Sequence, residues 1–353
     1  MKKVDLVIDM QFGSTGKGLI AGYLAEKYGH DVVLTANMPN AGHTYINAAG
    51  RKWAHKALPS GITSPNLKIV GIGPGAVFDV DRLLEEIEGS ADVLNGKEIW
   101  IHECAAVLSP RHKEKEASTL SAVSSTMQGS AAALTEKMMR NPNAGPIIAR
   151  ECLVPDDLVY SEDGLAVKVR VVSNKEWIEM LYAAERILAE GAQGYSLGLN
   201  AGFWPYCTSR DCTPARFMAD MAIPLGMLKN TVGTMRCHPI RVGNTADGYS
   251  GPCYPDQKEL TWEELGVEPE TTTVTGRIRR VFSFSHQQAR EAIMACQPTH
   301  VFLNFCNYDE QLADLIEDEV DGISRLDLGH YAVAWKGHGA TVLDVEEADD
   351  VDF

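Results

Sequence analysis

Residues able to do chemistry gather first between Asp9 and Gly18, where Gly13, Gly16 and Gly18 surround Lys17 in the run Asp9-Met10-Gln11-Phe12-Gly13-Ser14-Thr15-Gly16-Lys17-Gly18. An apolar stretch, Val4 to Ile8, precedes this run, and a helical pattern, Leu19 to Leu24, follows it. A strand that empties into a glycine loop at a helix N-terminus aims backbone N–H groups and the positive end of the helix dipole at one point, which suits a phosphate. A plain glycine turn is the other reading of the same spacing. The run is not a Walker A motif, because Gln11 stands where Gly-x-x-x-x-Gly-Lys needs its first glycine. A second candidate is His43, in Asn40-Ala41-Gly42-His43-Thr44. A side chain that titrates near neutrality suits a general acid, with satisfaction of a loop carbonyl as the alternative.

The elements that must hold these groups read as α/β. Val4–Ile8, Val32–Ala36, Lys68–Ile72 and Ile99–Ile101 are β-rich runs separated by helical patterns at Gly18–Tyr28 and Val80–Ile87. That alternation predicts a mostly parallel central sheet covered by helices, with ligand loops at the carboxyl ends of its strands. Thr44–Asn47 and Lys52–Ala57 flank a turn and read as a hairpin. The Ser/Thr/Ala-rich stretch from Ser118 to Ser130 reads as a loop ahead of a helix over Ala131–Met139. Further helices are expected at Lys175–Ala184, Gln287–Cys296 and Glu310–Glu317, and strands at Arg186–Glu190, Thr231–Ile240 and His300–Phe305. A single large domain over 1–343 is expected, followed by an acidic tail, 344–353, that reads as frayed or solvated.

Composition narrows the function. The chain has 353 residues, 45% of them hydrophobic and 23% charged, as in a globular protein with room for a sizeable core. A net charge of −16 argues against a nucleic-acid-coating surface, so a polyanionic ligand must meet a local cluster of cations or N–H groups. A small phosphorylated ligand fits better. The eight cysteines show no Cys-x-x-Cys and no zinc spacing, and read as reduced, mostly buried thiols of a cytoplasmic protein. No apolar run approaches a spanning helix, so no membrane partner is expected.

Five motifs then occur in order: Gln11-Phe12-Gly13-Ser14-Thr15-Gly16-Lys17-Gly18, Asn40-Ala41-Gly42-His43-Thr44, Leu58-Pro59-Ser60-Gly61-Ile62, Glu190-Gly191-Ala192-Gln193-Gly194 and Thr275-Gly276-Arg277-Ile278-Arg279-Arg280. They resemble Q-W-G-D-E-G-K-G-K, N-A-G-H-T, I-P-S-G-I, E-G-A-Q-G and T-T-G-R-R-R-R of adenylosuccinate synthetase, from about Val4 to Val342. The resemblance implies that family's P-loop-like fold and a two-step ligase, in which a purine 6-oxo group is phosphorylated and then displaced by the aspartate amine. It implies Lys17 and His43 as catalytic groups, with Ser14 at the family's catalytic aspartate position. It implies a triphosphate site at Gly13, Thr15, Gly16, Lys17, Gly18, Arg279, Asn304, Phe305, Cys306 and Gly337, and Mg²⁺ at Ser14 and the Gly42 carbonyl. The substrate nucleotide falls to Ser14, Asn40, Ser125, Thr126, Gln193, Thr208 and Val242. Arg140 is implied to reach the neighbouring site of a homodimer, and Val274, Thr275, Gly276 and Arg277 to hold L-aspartate.

Three departures refine that expectation. Ser14 replaces an aspartate that deprotonates purine N1. A serine hydroxyl is a poor base, but it leaves space for, and can accept from, the 2-amino group of guanine. The exchange resembles a phage branch of the family that acts on dGMP on the route to diaminopurine DNA, with Asp9 or the transferring phosphate as candidate N1 base. Leu303-Asn304-Phe305-Cys306 replaces Thr-Lys-Leu-Asp, whose aspartate accepts from guanine, so ATP or dATP becomes the expected donor. Phe203-Trp204 replaces Thr-Tyr, and Asn200 replaces an aspartate, as candidates for sugar selection or for ordinary packing. An IMP-using, GTP-dependent synthetase and an inactive nucleotide-binding protein are the competing readings.

Overall fold

The computed structural model describes residues 2–143, 145–153, 157–160, 164–272, 276–323, 332–349 and 351–353. These residues form an eleven-stranded sheet, in the order Val345–Glu347, Ala332–Gly337, His300–Asn304, Leu228–Arg236, Val4–Asp9, Ile187–Glu190, Val32–Thr35, Ile69–Ile72, Glu98–His102, Ala166–Val172 and Asp157–Tyr160. Only the two outermost pairings are antiparallel. All the inner strands therefore end at one edge. Val4–Asp9 lies between Ile187–Glu190 and Leu228–Arg236, so the chain leaves the central strand and returns on both sides of it. Such a switch point opens a crevice at the carboxyl ends, where a ligand binds in α/β sheets.

The central strands are apolar on both faces, as helices on both sides of a parallel sheet require. Leu6, Ile8, Val33, Leu34, Val70 and Leu188 are all inaccessible to solvent. The helix Lys17–Tyr28 follows the first strand and buries residues around most of its circumference, Leu19, Ile20, Ala21, Leu24 and Ala25 among them. It packs on the short turn Ser60–Thr63 and the hairpin of His43–Ile46 with Lys52–His55, so three of the five motifs meet around one helix.

The expected hairpin and most expected elements are present, with shifts of a few residues at their ends. Three segments differ. The strand read over Thr231–Ile240 ends at Arg236, because Pro239 lacks the N–H a ladder needs, and Ile240–Arg241 pairs in a separate small sheet. A helix at Pro110–Thr119 has no apolar period to announce it. Its buried Glu116 accepts from the backbone N–H groups of Gly129 (2.7 Å), Ala131 (2.6 Å) and Ala132 (3.3 Å), and so caps the next helix, Ser130–Met139, and anchors the loop before it.

The acidic segment after Leu343 is not frayed. Val345–Glu347 pairs with Ala332–Gly337, Glu347 accepts from Tyr23 (2.5 Å) and from Lys27, and Phe353 packs on Tyr28 and Trp335 at 4.6 and 5.4 Å between ring centres. The eight cysteines are free, but only Cys212, Cys237, Cys296 and Cys306 are buried. Among the described residues, no helix is long and apolar enough to cross a membrane.

Candidate active site

A cleft of about 410 Å³ opens at the carboxyl edge of the sheet. It is lined by residues from the segments that follow five of the parallel strands, together with residues 120–126 and 270–279. Gly13, Ser14, Gly16, Lys17, Gly18, Asn40, Gly42, His43, Ser125, Thr126, Gln193, Thr208, Val242, Arg279 and Phe305 all line it. Residues as far apart in sequence as Gly13 and Phe305 thus share one wall.

The loop after the first strand is built around the Asp9 carboxylate. Its oxygens accept from Gln11 N (2.8 Å), Gly13 N (3.1 Å), Thr15 Oγ1 (2.5 Å) and Lys17 Nζ (3.0 Å). With four donors on a fully buried carboxylate, Asp9 is the loop's anchor, and it does not line the cleft. The suggestion of Asp9 as N1 base is therefore corrected. Lys17 also donates to the Gln193 carbonyl at 2.8 Å, which joins the first and fourth motifs. Gly16 caps the helix at φ 92°, with no side chain on the cap and no acid in the first turn, so the helix N-terminus is open to an anion. A Cβ on Gly16 would lie 2.0 Å from the Asn304 amide, and one on Gly18 would lie 2.6 Å from the Thr44 carbonyl. Close approach requires glycine at both positions, and at Gly16 the backbone angle requires it as well. Ser14 adopts φ 57°, a left-handed conformation that a non-glycine residue holds only when its surroundings enforce it.

His43 presents one edge of its ring to the cleft and accepts or donates at Nδ1 with Glu190 Oε1, 2.5 Å away. Glu190 is fully buried and also accepts from Ser60 N (2.6 Å) and Ser60 Oγ (3.1 Å). Burial alone would raise its carboxyl pKa. Attraction to His43, the bond to it and the two Ser60 bonds outweigh burial and hold the group below its ordinary range. A charged Glu190 fixes a proton on His43 Nδ1 and leaves Nε2 to face the cleft. Glu190 and Ser60 fall within two of the motifs, but residue type and spacing assign them no role. A second network runs from buried Arg210 Nη2 to Gln193 Oε1 (3.3 Å), and from Gln193 Nε2 to Asn40 Oδ1 (3.0 Å), fixing two expected substrate-binding carboxamides.

Several expected residues stand behind the wall. Thr15 is buried, with its hydroxyl on Asp9 and Thr234. Asn304 donates to the Thr15 carbonyl (3.3 Å) and accepts from Phe305 N (2.8 Å). Gly337 lies against Asn304. Cys306 does not reach the cleft, because it is fully buried with Sγ on the Leu303 carbonyl, and its neighbour Phe305 presents a ring there instead. Neither Phe203 nor Trp204 lines the cleft. Phe203 packs on Phe12 and Tyr254, and Asn200 pairs with Asp211, while Pro205 and Tyr206 form the wall.

Arg277 donates to the carbonyls of Gly243, Ser124 and Ser125 at 3.2–3.3 Å, tying residues 276–279 to the 120s loop at the cleft rim. Gly276 is exposed in the same segment, and Val274 and Thr275 lie outside the described residues. Arg140 is exposed and lines a separate cavity with Glu136, Lys137 and Arg150 rather than the cleft. Burial pushes the Arg279 guanidinium down to about 10, with Glu270 opposing and Arg236 adding to the shift.

Among the described residues, no three His, Cys, Asp or Glu side chains form a metal cluster. Ser14 and the Gly42 carbonyl are neutral oxygen donors on the cleft wall. That small donor set fits Mg²⁺, which keeps most of its waters and takes phosphate oxygens as ligands.

The sequence model of the adenylosuccinate synthetase family matches residues 6–150 and 158–318. The N6-succino-2-amino-2'-deoxyadenylate synthase of Vibrio phage phiVC8 is 56% identical over 356 residues, covering 99% of this chain and all of that protein. The synthase of the same name from Acinetobacter phage SH-Ab 15497 is 47% identical over 377 residues, covering 99% and 96%. The solved cyanophage S-2L succinoaminodeoxyadenylate synthetase, bound to dGMP and to dATP as energy donor, superposes with a TM-score of 0.87 at 39% identity, covering 98% of this chain and 95% of that one. A fully ligated adenylosuccinate synthetase from Plasmodium falciparum shares the fold, with a TM-score of 0.75 at 18% identity over 98% of this chain and all of that one.

Proposed function

Because this chain belongs to the adenylosuccinate synthetase family, we infer that it ligates L-aspartate to C6 of dGMP, using ATP or dATP. The products are N6-succino-2-amino-2'-deoxyadenylate, the nucleoside diphosphate and phosphate. The reaction is a step toward diaminopurine DNA in a phage. The observation that carries the reading is Ser14, a short neutral side chain on the cleft wall where the family places an aspartate. A carboxylate there would pair with a purine N1–H and crowd a 2-amino group, whereas a hydroxyl accepts from that group and leaves it room.

The first step moves the γ-phosphoryl group to O6 while the N1 proton departs. The open N-terminus of Lys17–Tyr28 and the N–H groups of residues 13–18 receive the triphosphate, and Lys17 turns from Asp9 toward the transferred charge. His43 Nε2 donates to O6, with Glu190 orienting the ring through its bond to Nδ1. Asp9 keeps its bonds to Gln11 N, Gly13 N and Thr15 when Lys17 turns and does not line the cleft, so oxygens of the transferring phosphoryl group are left to accept the N1 proton. Mg²⁺, held by Ser14 and the Gly42 carbonyl, would supply charge neutralisation on the phosphates.

In the second step the aspartate amine attacks C6, the C6–O6 bond breaks, phosphate leaves and the amine loses a proton. Arg277, with residues 274–276, holds the carboxylates of aspartate through its guanidinium fork, while Arg279 serves the triphosphate. Asn40, Ser125, Thr126, Gln193, Thr208 and Val242 hold dGMP. Phe305 offers the donor base an aromatic face, with Asn304, Cys306 and Gly337 supporting the loop behind it. An aromatic face accepts adenine with either sugar, in keeping with ATP or dATP as donor.

Arg140 completes the site of a second copy. Its absence from the lining of its own cleft and the exposure of Met138 (74%) and Met139 (70%) beside it support that arrangement.

The test is a phosphate-release panel of dGMP, GMP, dIMP and IMP, each with ATP or GTP. Release is expected only when dGMP, L-aspartate, ATP and Mg²⁺ are all present. Release with IMP and none with dGMP would overturn the reading.

A further inference from the structure

We propose that Arg236 is a positioning residue for this ligation, one guanidinium that sets the Ser14 loop and the loop beginning at Glu270 in register across the cleft. Arg236 is fully buried at the end of the strand Leu228–Arg236 and does not itself line the cleft. Its contacts reach three parts of the wall. Nη1 donates to the Ser14 carbonyl at 3.1 Å, and Nη1 and Nη2 grip the Glu270 carboxylate at 3.3 and 2.5 Å. Its guanidinium carbon lies 3.7 Å from the centre of the Phe305 ring, close enough for a strong cation–π contact. Ser14, Glu270 and Phe305 each line the cleft.

The backbone of Arg236 is bound to the same loop from the other side. The Gln11 carboxamide accepts from Arg236 N at 3.0 Å and donates to its carbonyl at 3.1 Å. The guanidinium is thus fixed to the loop at both ends of the residue. This matters most at Ser14, whose left-handed backbone needs outside support, because the carbonyl that Arg236 holds sets where the Ser14 hydroxyl lies. Glu270 is held in turn. Tyr308 donates to it at 3.2 Å, and its own carbonyl accepts from Arg279 N at 2.8 Å, closing the base of the loop that carries Arg277 and Arg279. A planar fork with five donors can serve carbonyl, carboxylate and ring together. A lysine ammonium cannot, so Arg236→Lys keeps the charge and loses the geometry. Misplacement of reacting groups by about 1 Å can cost roughly a hundredfold in rate.

The inference rests on the ligase reading, so the wild type is assayed first, with dGMP and with IMP. Absence of aspartate-dependent turnover of dGMP counts against that reading, and the variants are then compared with the purine nucleotide that does turn over. In Arg236→Lys, the KM values for the nucleotide and for aspartate are both expected to rise about tenfold or more, together with a fall in kcat and a narrowed dGMP-over-IMP preference. Glu270→Gln breaks the same clamp from the other side without changing its shape. It should raise the aspartate KM with a smaller change in the nucleotide KM. A lysine variant that melts earlier but keeps wild-type KM values and preference would overturn the proposal. Should that variant fail to fold, Glu270→Gln decides, and an unchanged aspartate KM overturns it.

Discussion

Two buried histidine–carboxylate pairs sit at opposite ends of the same sheet, His30 with Asp5 at the amino edge and His43 with Glu190 at the carboxyl edge. The separations are similar, 2.8 and 2.5 Å, and all four side chains are buried. The surroundings of the carboxylates differ. Asp5 also accepts from Arg186 Nε and Asn230 Nδ2, each at 2.8 Å, so a second cation compensates its charge. Burial then wins at His30, which is pushed below its ordinary pKa in spite of Asp5. Glu190 receives two serine bonds, and among the described residues no Lys or Arg pairs with it beside His43. Its charge is therefore directed at His43, whose far edge meets the cleft. The same pair serves packing where the chain is sealed, and where it opens we propose that it serves proton transfer.

The largest expected break in that comparison is between the two histidines. His43→Asn should lower kcat/KM for phosphate release by about 10²–10⁴-fold, the usual worth of a positioned acid. His30→Asn should leave turnover near wild type and lower stability by about 1–3 kcal/mol in urea denaturation, because the Asp5 carboxylate loses a buried partner. Equal effects of the two on turnover would remove the distinction. Next is Glu190→Gln, which keeps the shape and discards the charge. Loss of a charged hydrogen bond of about 1.5–3 kcal/mol corresponds to roughly 10–100-fold in kcat, with the KM for dGMP little changed.

A smaller effect separates the pairs by pH. The His30 pKa is lowered on folding, so the unfolded chain binds this proton more readily. Its contribution to stability is present above the unfolded value near 6.5 and is lost as pH falls toward the folded value. Asp5 and Glu190, also lowered, lose theirs further down, below the ordinary carboxylate range near 4. His30→Gln should therefore flatten the stability–pH curve just below 6.5 by up to one proton, about 1.4 kcal/mol per pH unit, and leave the carboxylate limb in place. Urea midpoints across pH 4–8 check it, and an unchanged slope would show that His30 is not held neutral.

The two ends were unequally legible in the sequence. Glycine loops at strand ends carry their signal locally, in residue type and spacing, and the cleft wall contains most of the residues those motifs named. Spacing does not show which lone pairs are already taken. Asp9 looked like a free carboxylate and has four donors, and Cys306 looked like a cleft residue and faces the core. Arg236 and Glu270 carry no motif, and their bond joins positions 34 residues apart, which no local pattern reveals. The amino-edge cluster was unreadable for the same reason, since Asp5, His30, Arg186 and Asn230 meet only after the sheet forms. The acidic tail misled because its charge suggested solvation, whereas Tyr23 and Lys27 on the first helix supply partners for Glu347.

We propose that Ser14 specialises the carboxyl edge for guanine, and the most direct test is the ratio of kcat/KM for dGMP to that for IMP, measured in the wild type and in Ser14→Asp. The wild-type ratio should lie well above one. The aspartate should lower it at least about tenfold, through restored pairing with hypoxanthine N1–H and crowding of the 2-amino group. A wild-type ratio below one, or a ratio that the substitution leaves unchanged, would contradict the account.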